Sequence, residues 1–221
     1  MRLWKARLLV PSRSSPLCIV LASLLFVASL PGFTDGLDRI DISVLGRDAW
    51  QRPNDVIDAL DIEAGDRVAD LGAGEGYFVP LLRSAVGDGG VVFAVDVEEE
   101  VVESLNKQFA AAANVVVIKG DYDDPGLTAA EIDLVLIVNT YHHIEDREAY
   151  FARLRTALAP GGRVAILEPN ADRRGLVGLF VENNHQSHAT DVVREMTSAG
   201  YDLQADHEVL PVQIFMVFVP S

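Results

Sequence analysis

Cysteine is almost missing from this chain. Its 221 residues hold one, Cys18. That excludes a disulfide framework, a cysteine metal site and a cysteine nucleophile in the globular part. Basic charge is also scarce, with 18 Lys and Arg against 33 Asp and Glu and a net charge of −15. A nucleic-acid backbone is therefore not an expected partner, because phosphate binding needs clustered cations. The acidic surface suits a small neutral or cationic molecule, although solubility alone would account for it. No G-x-S-x-G elbow occurs, so a hydrolytic serine is not supported. No internal repeat or low-complexity tract interrupts the chain.

The long unbroken apolar run lies near the N-terminus. Leu17 to Leu30 is bounded by Pro16 and Pro31 and preceded by Arg2, Lys5, Arg7 and Arg13 without any acid. As a helix its length is about 21 Å, short of the roughly 30 Å hydrocarbon core. Residues 1–35 read as a signal peptide or a short membrane anchor, and residues 36–221 as the globular domain. The leader predicts an exported, periplasmic or membrane-tethered protein, with membrane association running through residues 17–30. If the leader is not used, the domain is cytoplasmic.

What organises the rest is Arg67 to Phe78, RVADLGAGEGYF. A buried strand ending in Asp70 and Leu71 runs into Gly72, Gly74 and Gly76, and Tyr77 opens a helix. Glycine permits positive φ and close backbone approach, and a helix start offers unpaired N–H groups. A dinucleotide fingerprint would read G-x-G-x-x-G. Here the spacing is G-x-G-x-G, Tyr77 holds the third-glycine position, and Asp70 suits a ligand bearing an ammonium group. Alternatively the glycines make only a tight strand–helix turn.

Further strands follow at regular intervals. Val91 to Val95 is wholly apolar, as in a central parallel strand, and ends in Asp96. A carboxylate there can accept from both ribose hydroxyls, or it caps the helix beginning at Glu98. Val101 to Ala113 reads as a helix and Val115 to Ile118 as a strand, followed by Asp121 and Tyr122. Ile132 to Val138 is a fourth strand, ending in Asn139, Thr140, Tyr141, His142 and His143. Asp146 to Leu158 reads as a helix. Leu158 to Gly162 then turns into a fifth strand, Arg163 to Glu168. Residues 170–186 read as a loop over the site, Thr190 to Ala199 as a helix, and Tyr201 to Val209 with Gln213 to Val219 as a closing strand pair. In open α/β sheets ligands bind at the carboxyl ends of strands. Asp70, Asp96, Asp121 and Asn139 all fall on that edge.

The pattern Asp70-x-Gly72-x-Gly74-x-Gly76, with Asp96 and the L-x-P-G-G turn, resembles class I S-adenosylmethionine (SAM) dependent methyltransferases. It is most similar to the small-molecule group that includes the ubiquinone and menaquinone C-methylating enzymes. The resemblance covers roughly residues 50–219. It implies a Rossmann-like, doubly wound α/β fold with a seven-stranded sheet, mostly parallel with an antiparallel last strand. It implies SAM as cofactor, held by Asp70, Gly72, Ala73, Gly74, Gly76, Tyr77, Asp96, Val97 and Asn139. By the same resemblance Asp121 and Tyr122 lie at the adenine. An N-terminal helix is expected to help cover the cofactor; Trp50 and Arg52 either reach its mouth or are a packed aromatic beside a surface arginine.

Methyl transfer from a sulfonium is an in-line displacement that needs alignment and exclusion of water. A base is required only if the nucleophile arrives protonated. His142 and His143 are the candidates, with Glu168 after the fifth strand, because imidazole titrates near neutrality. Tyr141 is a further candidate, to orient substrate or face the sulfonium with its ring. The two prolines of the Asn/Asp-Pro-Pro-Tyr motif of amino-methylating DNA enzymes are absent, so a nucleobase amine is not the expected acceptor. His185, His188 and Glu182 invite a metal reading but lack a third firm ligand at helical spacing. The expected acceptor is a small or lipid-like molecule. The alternatives are a non-catalytic SAM or nucleoside binder at the envelope and an NAD-type oxidoreductase, the latter opposed by Tyr77. SAM is made and kept in the cytoplasm, so the leader and the cofactor point to different compartments.

Overall fold

The structure is a computed structural model and describes residues 46–127, 131–172 and 187–221. The expected leader, His185, Glu182 and most of the loop read over 170–186 lie outside the described residues. Among those described, no helix is long and apolar enough to cross a membrane.

In chain order the elements are α1 (Arg47–Gln51), α2 (Pro53–Ala59), β1 (Arg67–Leu71), α3 (Val79–Val86), β2 (Val91–Asp96), α4 (Glu99–Gln108) and β3 (Val115–Lys119). Then come β4 (Ile132–Val138), a 3₁₀ turn (Tyr141–His143), α5 (Arg147–Leu154), a second 3₁₀ turn (Arg155–Ala157), β5 (Leu158–Pro169), α6 (Ala189–Ser198), β6 (Tyr201–Asp206) and β7 (Gln213–Pro220). The sheet has seven strands in the order β3-β2-β1-β4-β5-β7-β6. The first five strands are mutually parallel, and β7 runs antiparallel to both β5 and β6. This is the doubly wound, mostly parallel sheet expected from the alternation of apolar runs and helices.

Strand parity divides the core. Ala69, Leu71, Val135, Ile137, Val164 and Ile166 face one layer, with Phe151 and Leu154 of α5 and Val192 and Met196 of α6. Val68, Val92, Ala94, Leu134, Leu136, Ala165 and Leu167 face the other, with Val56 of α2, Val79, Leu82 and Val86 of α3 and Leu105 of α4. Burial on both faces explains why the central strands read as nearly unbroken apolar runs rather than alternating ones.

The strand expected over Tyr201 to Val209 ends at Asp206, and three other boundaries differ for a visible reason. Helix α3 begins at Val79, not Tyr77, because the Tyr77 hydroxyl donates to Asp48 and its ring lies beneath Arg47. Those contacts hold the chain in a bend, and Pro80 then falls in the first turn, where its missing N–H is harmless. Helix α4 ends at Gln108, not Ala113. The Phe109 ring turns in against Gly76, where a methyl group would come within 2.9 Å of it. Leu158 is not the end of α5 but already part of β5, paired with Ile132, and the L-x-P-G-G residues bulge out before Arg163 rejoins the register at Leu134.

Gly72 ties the two halves of the sheet. It has φ +79, and an added Cβ would sit 2.2 Å from Thr140 Oγ1 at the end of β4. Gly72→Ala should therefore destabilise by about 3 kcal/mol, combining overpacking with a left-handed alanine. That is a loss of roughly 6–12 °C in the thermal midpoint for a domain of this size. Thr140→Gly in the same chain should restore part of it. An unchanged midpoint in the single variant would mean the ends of β1 and β4 are not in this contact.

Candidate active site

The chain switches direction across the sheet between β1 and β4, and the crevice outside their carboxyl ends is where open α/β sheets bind ligands. Leu71 lies in register with Val95 of β2 and Ile137 of β4. The residues following each strand therefore meet at one edge. Gly72 and Ala73 donate their N–H groups to the Val95 carbonyl, at 2.9 and 3.0 Å, and Gly76 N–H closes the turn on Ala73 O at 2.9 Å. Gly72 and Gly76 are demanded by the close approach of Thr140 and Phe109, whereas the space around Gly74 is open. The turn thus serves the chain's own packing at two of its glycines.

Asp96 sits beside this turn and is 8% exposed. One carboxylate oxygen accepts from Gly74 N–H at 2.9 Å and the other from Glu98 N–H at 3.0 Å. It steadies the start of α4, as one expectation had it, and it lines a cavity. That cavity has a volume of about 850 Å³. Its walls include Gly72, Asp96, Val97, Asp121, Tyr122, Asn139, Thr140 and His143. Each carboxylate oxygen of Asp96 keeps a lone pair beyond its backbone bond, so the pair can still accept from a vicinal diol. Tyr122 is 71% exposed, and its hydroxyl donates to Glu98 at 2.6 Å, holding the ring at the rim. Asp121 is fixed in a small turn by its backbone pairing with Asp124.

Asp70, Ala73, Gly74, Gly76 and Tyr77 are not on the walls of this cavity. Of these, Asp70 and Tyr77 lie where α1 reaches the turn, whereas Gly76 packs on Phe109 and Leu105 and Gly74 donates to Asp96. Arg47 stacks its guanidinium 3.9 Å from the Tyr77 ring centroid. Asp70 is 3% exposed, and no described residue donates a hydrogen bond to it. Burial pushes its carboxyl up to about 7, nearby Asp96 adds to the rise, and Arg47 opposes it. A buried carboxylate with acceptor capacity to spare is the donor-seeking group that a ligand's ammonium would satisfy. Arg47 and Asp48, not Trp50 and Arg52, reach this place. Arg52 instead donates to Val209 O at 2.6 Å, and Trp50 is half-buried with no partner among described residues for its indole N–H. Helix α1 spans five residues, too few for any periodicity to announce it.

The residues after β4 separate sharply. Tyr141 is 1% exposed, with its hydroxyl donating to Glu195 at 2.6 Å and Arg147 stacked 4.7 Å from its ring centroid. Burial, then the Glu195 hydrogen bond, raises its phenol far above the ordinary value. Its ring belongs to the core and does not line the cavity, which corrects the expectation of a ring facing the sulfonium. His142 places Nδ1 2.7 Å from Glu168 Oε2, while Glu168 Oε1 accepts from Tyr141 N–H at 2.7 Å. Glu168 is fully buried. His143 stacks 4.1 Å from the His142 ring and lines the cavity. Asn139 also lines it, with φ +53, and its Oδ1 accepts from Gln213 at 2.8 Å. Gln213 carried no signal in the sequence, since a single glutamine at a strand start matches no motif. Among described residues no group of His, Cys, Asp and Glu is placed to hold a metal, and His188 pairs with Asp172 at 2.7 Å.

A glycine turn with flanking carboxylates at the switch point of a doubly wound sheet defines a Rossmann-like nucleoside-binding domain. Residues 69–166 match the family model described as a methyltransferase domain. The 27-O-demethylrifamycin SV methyltransferase of Amycolatopsis mediterranei is 28% identical over 159 residues, covering 63% of this chain and 58% of the relative. The ubiquinone/menaquinone biosynthesis C-methyltransferase of Psychromonas ingrahamii is 25% identical over 122 residues, covering 54% and 48%. A SAM-dependent methyltransferase from Aquifex aeolicus shares the fold, with a TM-score of 0.69 at 22% identity over 84% of this chain and 96% of that one. The chain spans about half the length of the curated relatives it matches.

The Asp70 geometry has a consequence for stability. Its folded value of about 7 lies above the ordinary unfolded value near 3.9. Between those values the native state holds a proton that the unfolded state has lost, so stability falls as pH rises from about 4 to about 7 and levels off above. Asp70→Asn should flatten that stretch and raise the thermal midpoint relative to the parent at pH 8. Melts at half-unit intervals from pH 4.5 to 8 check this, and parallel profiles for the two proteins would contradict it.

Proposed function

We propose that this protein is a SAM-dependent methyltransferase acting on a small or lipid-like acceptor. The observation that carries the reading is Asp96: a nearly buried carboxylate, held by two backbone N–H groups, on the wall of a cavity at the switch point. Asp96 would hold the ribose hydroxyls, with Asp121 and Tyr122 beside the base. Asp70 would hold the ammonium of the amino-acid portion. When bound, SAM supplies an electrophilic methyl group on a sulfonium. Relatives named as a 27-O-demethylrifamycin SV methyltransferase and a ubiquinone/menaquinone biosynthesis C-methyltransferase support an acceptor of that general kind.

His142 is the residue we assign as base. Glu168, buried and acceptor-only when ionised, orders the imidazole by taking its Nδ1 proton in a hydrogen bond. That leaves Nε2 as the basic nitrogen, by the logic that a carboxylate fixes tautomer and orientation. Tyr141 N–H satisfies the second oxygen of Glu168 and so fixes the carboxylate in turn. His142 is not itself on the cavity wall, whereas the neighbouring His143 is; the dyad would take a proton from an acceptor hydroxyl or acidic carbon that reaches past His143, and hold it on Nε2 while the methyl group is transferred. His143, on the cavity wall, borders the place where the acceptor must enter. The basic, apolar leader supports work at the cell envelope, which membrane fractionation of the full chain would test.

Calorimetric titration with SAM, S-adenosylhomocysteine and NAD is the direct test. Both sulfur ligands should bind and NAD should not; no binding of either sulfur ligand would overturn the reading. Asp96→Ala should weaken SAM by about 1.5–3 kcal/mol, the scale of hydrogen bonds to a charged group. Binding near pH 7 should release a proton from Asp70 as the ammonium lowers its pKa. With an acceptor found by mass-spectrometric screening for methyl transfer, His142→Ala should lower kcat by about 10²–10⁴-fold. SAM affinity should change little in that variant. Equal losses in turnover and affinity would place His142 in the cofactor pocket instead.

A further inference from the structure

A chain of side-chain amides runs from α1 to the cavity wall. Arg47 Nε donates to Gln51 Oε1 at 3.2 Å. Gln51 Nε2 donates to Gln213 Oε1 at 2.7 Å. Gln213 Nε2 donates to Asn139 Oδ1 at 2.8 Å. Gln51 is fully buried and Gln213 is 1% exposed. They are separated by 162 positions in sequence, so this contact is made only by the finished fold.

An amide can be turned over, exchanging its donor for its acceptor, and three amides in series could run either way. Arginine cannot: a guanidinium only donates. With Arg47 at one end, the Gln51 oxygen must face it. The Gln51 nitrogen then faces Gln213, whose oxygen must accept. The Gln213 nitrogen then faces Asn139, whose oxygen must accept. Reversing Gln51 or Gln213 would set nitrogen against nitrogen at one end and oxygen against oxygen at the other, and reversing Asn139 would set its nitrogen against that of Gln213; each leaves buried groups unpaired at a cost of about 1–3 kcal/mol.

We infer that Arg47, Gln51 and Gln213 are positioning residues that lock the Asn139 side chain with its NH₂ group presented to the cavity, where it donates to an oxygen or nitrogen acceptor of the bound ligand. The positive φ of Asn139 belongs to the same arrangement. Asparagine is among the few residues that adopt φ +53 readily, and there it keeps its oxygen on Gln213 while its side chain borders the cavity. The relay also ties cofactor-site geometry to α1. The helix that lays Arg47 over Tyr77 is the same helix that sets the direction of the amides.

The inference about direction stands on the ligand-free protein; its effect on affinity rests on the SAM reading above. Two measurements separate them. The first is side-chain amide exchange with water by nitrogen-15 NMR on the full chain without ligand, with the Asn139 signals identified by their loss in Asn139→Ala. In the parent the Gln51 and Gln213 NH₂ groups should be protected and that of Asn139 should exchange fast. In Gln213→Glu the new carboxylate can only accept, so the Asn139 amide should turn over and its NH₂ become protected. Protected Asn139 NH₂ in the parent would overturn the inference.

The second is SAM affinity. Gln213→Glu and Asn139→Asp each remove the donor from the cavity and should weaken SAM by roughly ten-fold, the worth of one hydrogen bond with its unpaired partner. The two act at different residues, so the test survives if Gln213→Glu does not fold. Gln213→Glu should have no further effect on affinity in an Asn139→Ala background, whereas a merely structural role for Gln213 would cost the same in both backgrounds. An equal loss in both backgrounds would overturn the positioning role. Absence of SAM binding by the parent, with the exchange pattern as expected, would overturn the SAM reading and leave the amide direction standing.

Discussion

The site depends on how closely the carboxyl ends of β1 and β4 approach. At that point Gly72 has no room for a methyl group beside Thr140. Because the turn lies this tight against β4, its next residues swing over the end of β2, where Asp96 receives the Gly74 N–H. The carboxylate is then fixed by two backbone donors, one from the turn and one from the start of α4. A loop, a strand end and a helix start are joined through one side chain. Nearly buried charge is tolerable there because both oxygens are satisfied by the chain, and useful because neither is saturated.

Strand parity sets which face of the sheet each polar side chain near its edge takes. Asp70 follows Ala69 and precedes Leu71, both of which face the α5–α6 layer, so Asp70 faces the other way, towards α1. Gln213 likewise alternates with Ile214 and shares the side of Phe215. Glu168 alternates with Leu167 and so projects into the α5–α6 layer, where it meets His142 and Tyr141. Asp70 and Gln213 thus stand on one face of the sheet and the imidazole–carboxylate pair on the other, the side on which Ile144 and Tyr150 line the cavity.

Much of this was legible in the sequence, and the parts that were not share a cause. Apolar runs ending in Asp70, Asp96 and Asn139 announce central strands and the edge they share, because burial on both faces leaves a local mark. The glycine spacing announces the turn. Yet the sequence could not say that Gly72 and Gly76 are required by Thr140 and Phe109, which are distant in the chain. Nor could it separate Tyr141 from its neighbours: three consecutive residues of a 3₁₀ turn point in different directions, one into the core and one to the cavity. Helix α1 is too short for a periodic pattern, and the buried glutamines carry no motif. What escaped was long-range pairing of polar side chains, which depends on the fold being complete.

That class of contact also gives the arrangement its directionality. Apolar packing fixes where elements lie but is indifferent to the orientation of an amide. Hydrogen bonds between interior amides are not, and their direction must be anchored by a group whose role cannot change. Arg47 supplies that anchor at one end of the chain that runs through Gln51 and Gln213 to Asn139. Glu168, held in place by the Tyr141 N–H and able only to accept, does the same for the His142 tautomer. In both halves of the site a group whose role cannot change sets the polarity of groups that could act either way. A domain whose packing tolerates extensive substitution can therefore still depend on a few buried polar residues to decide which atoms face its ligand.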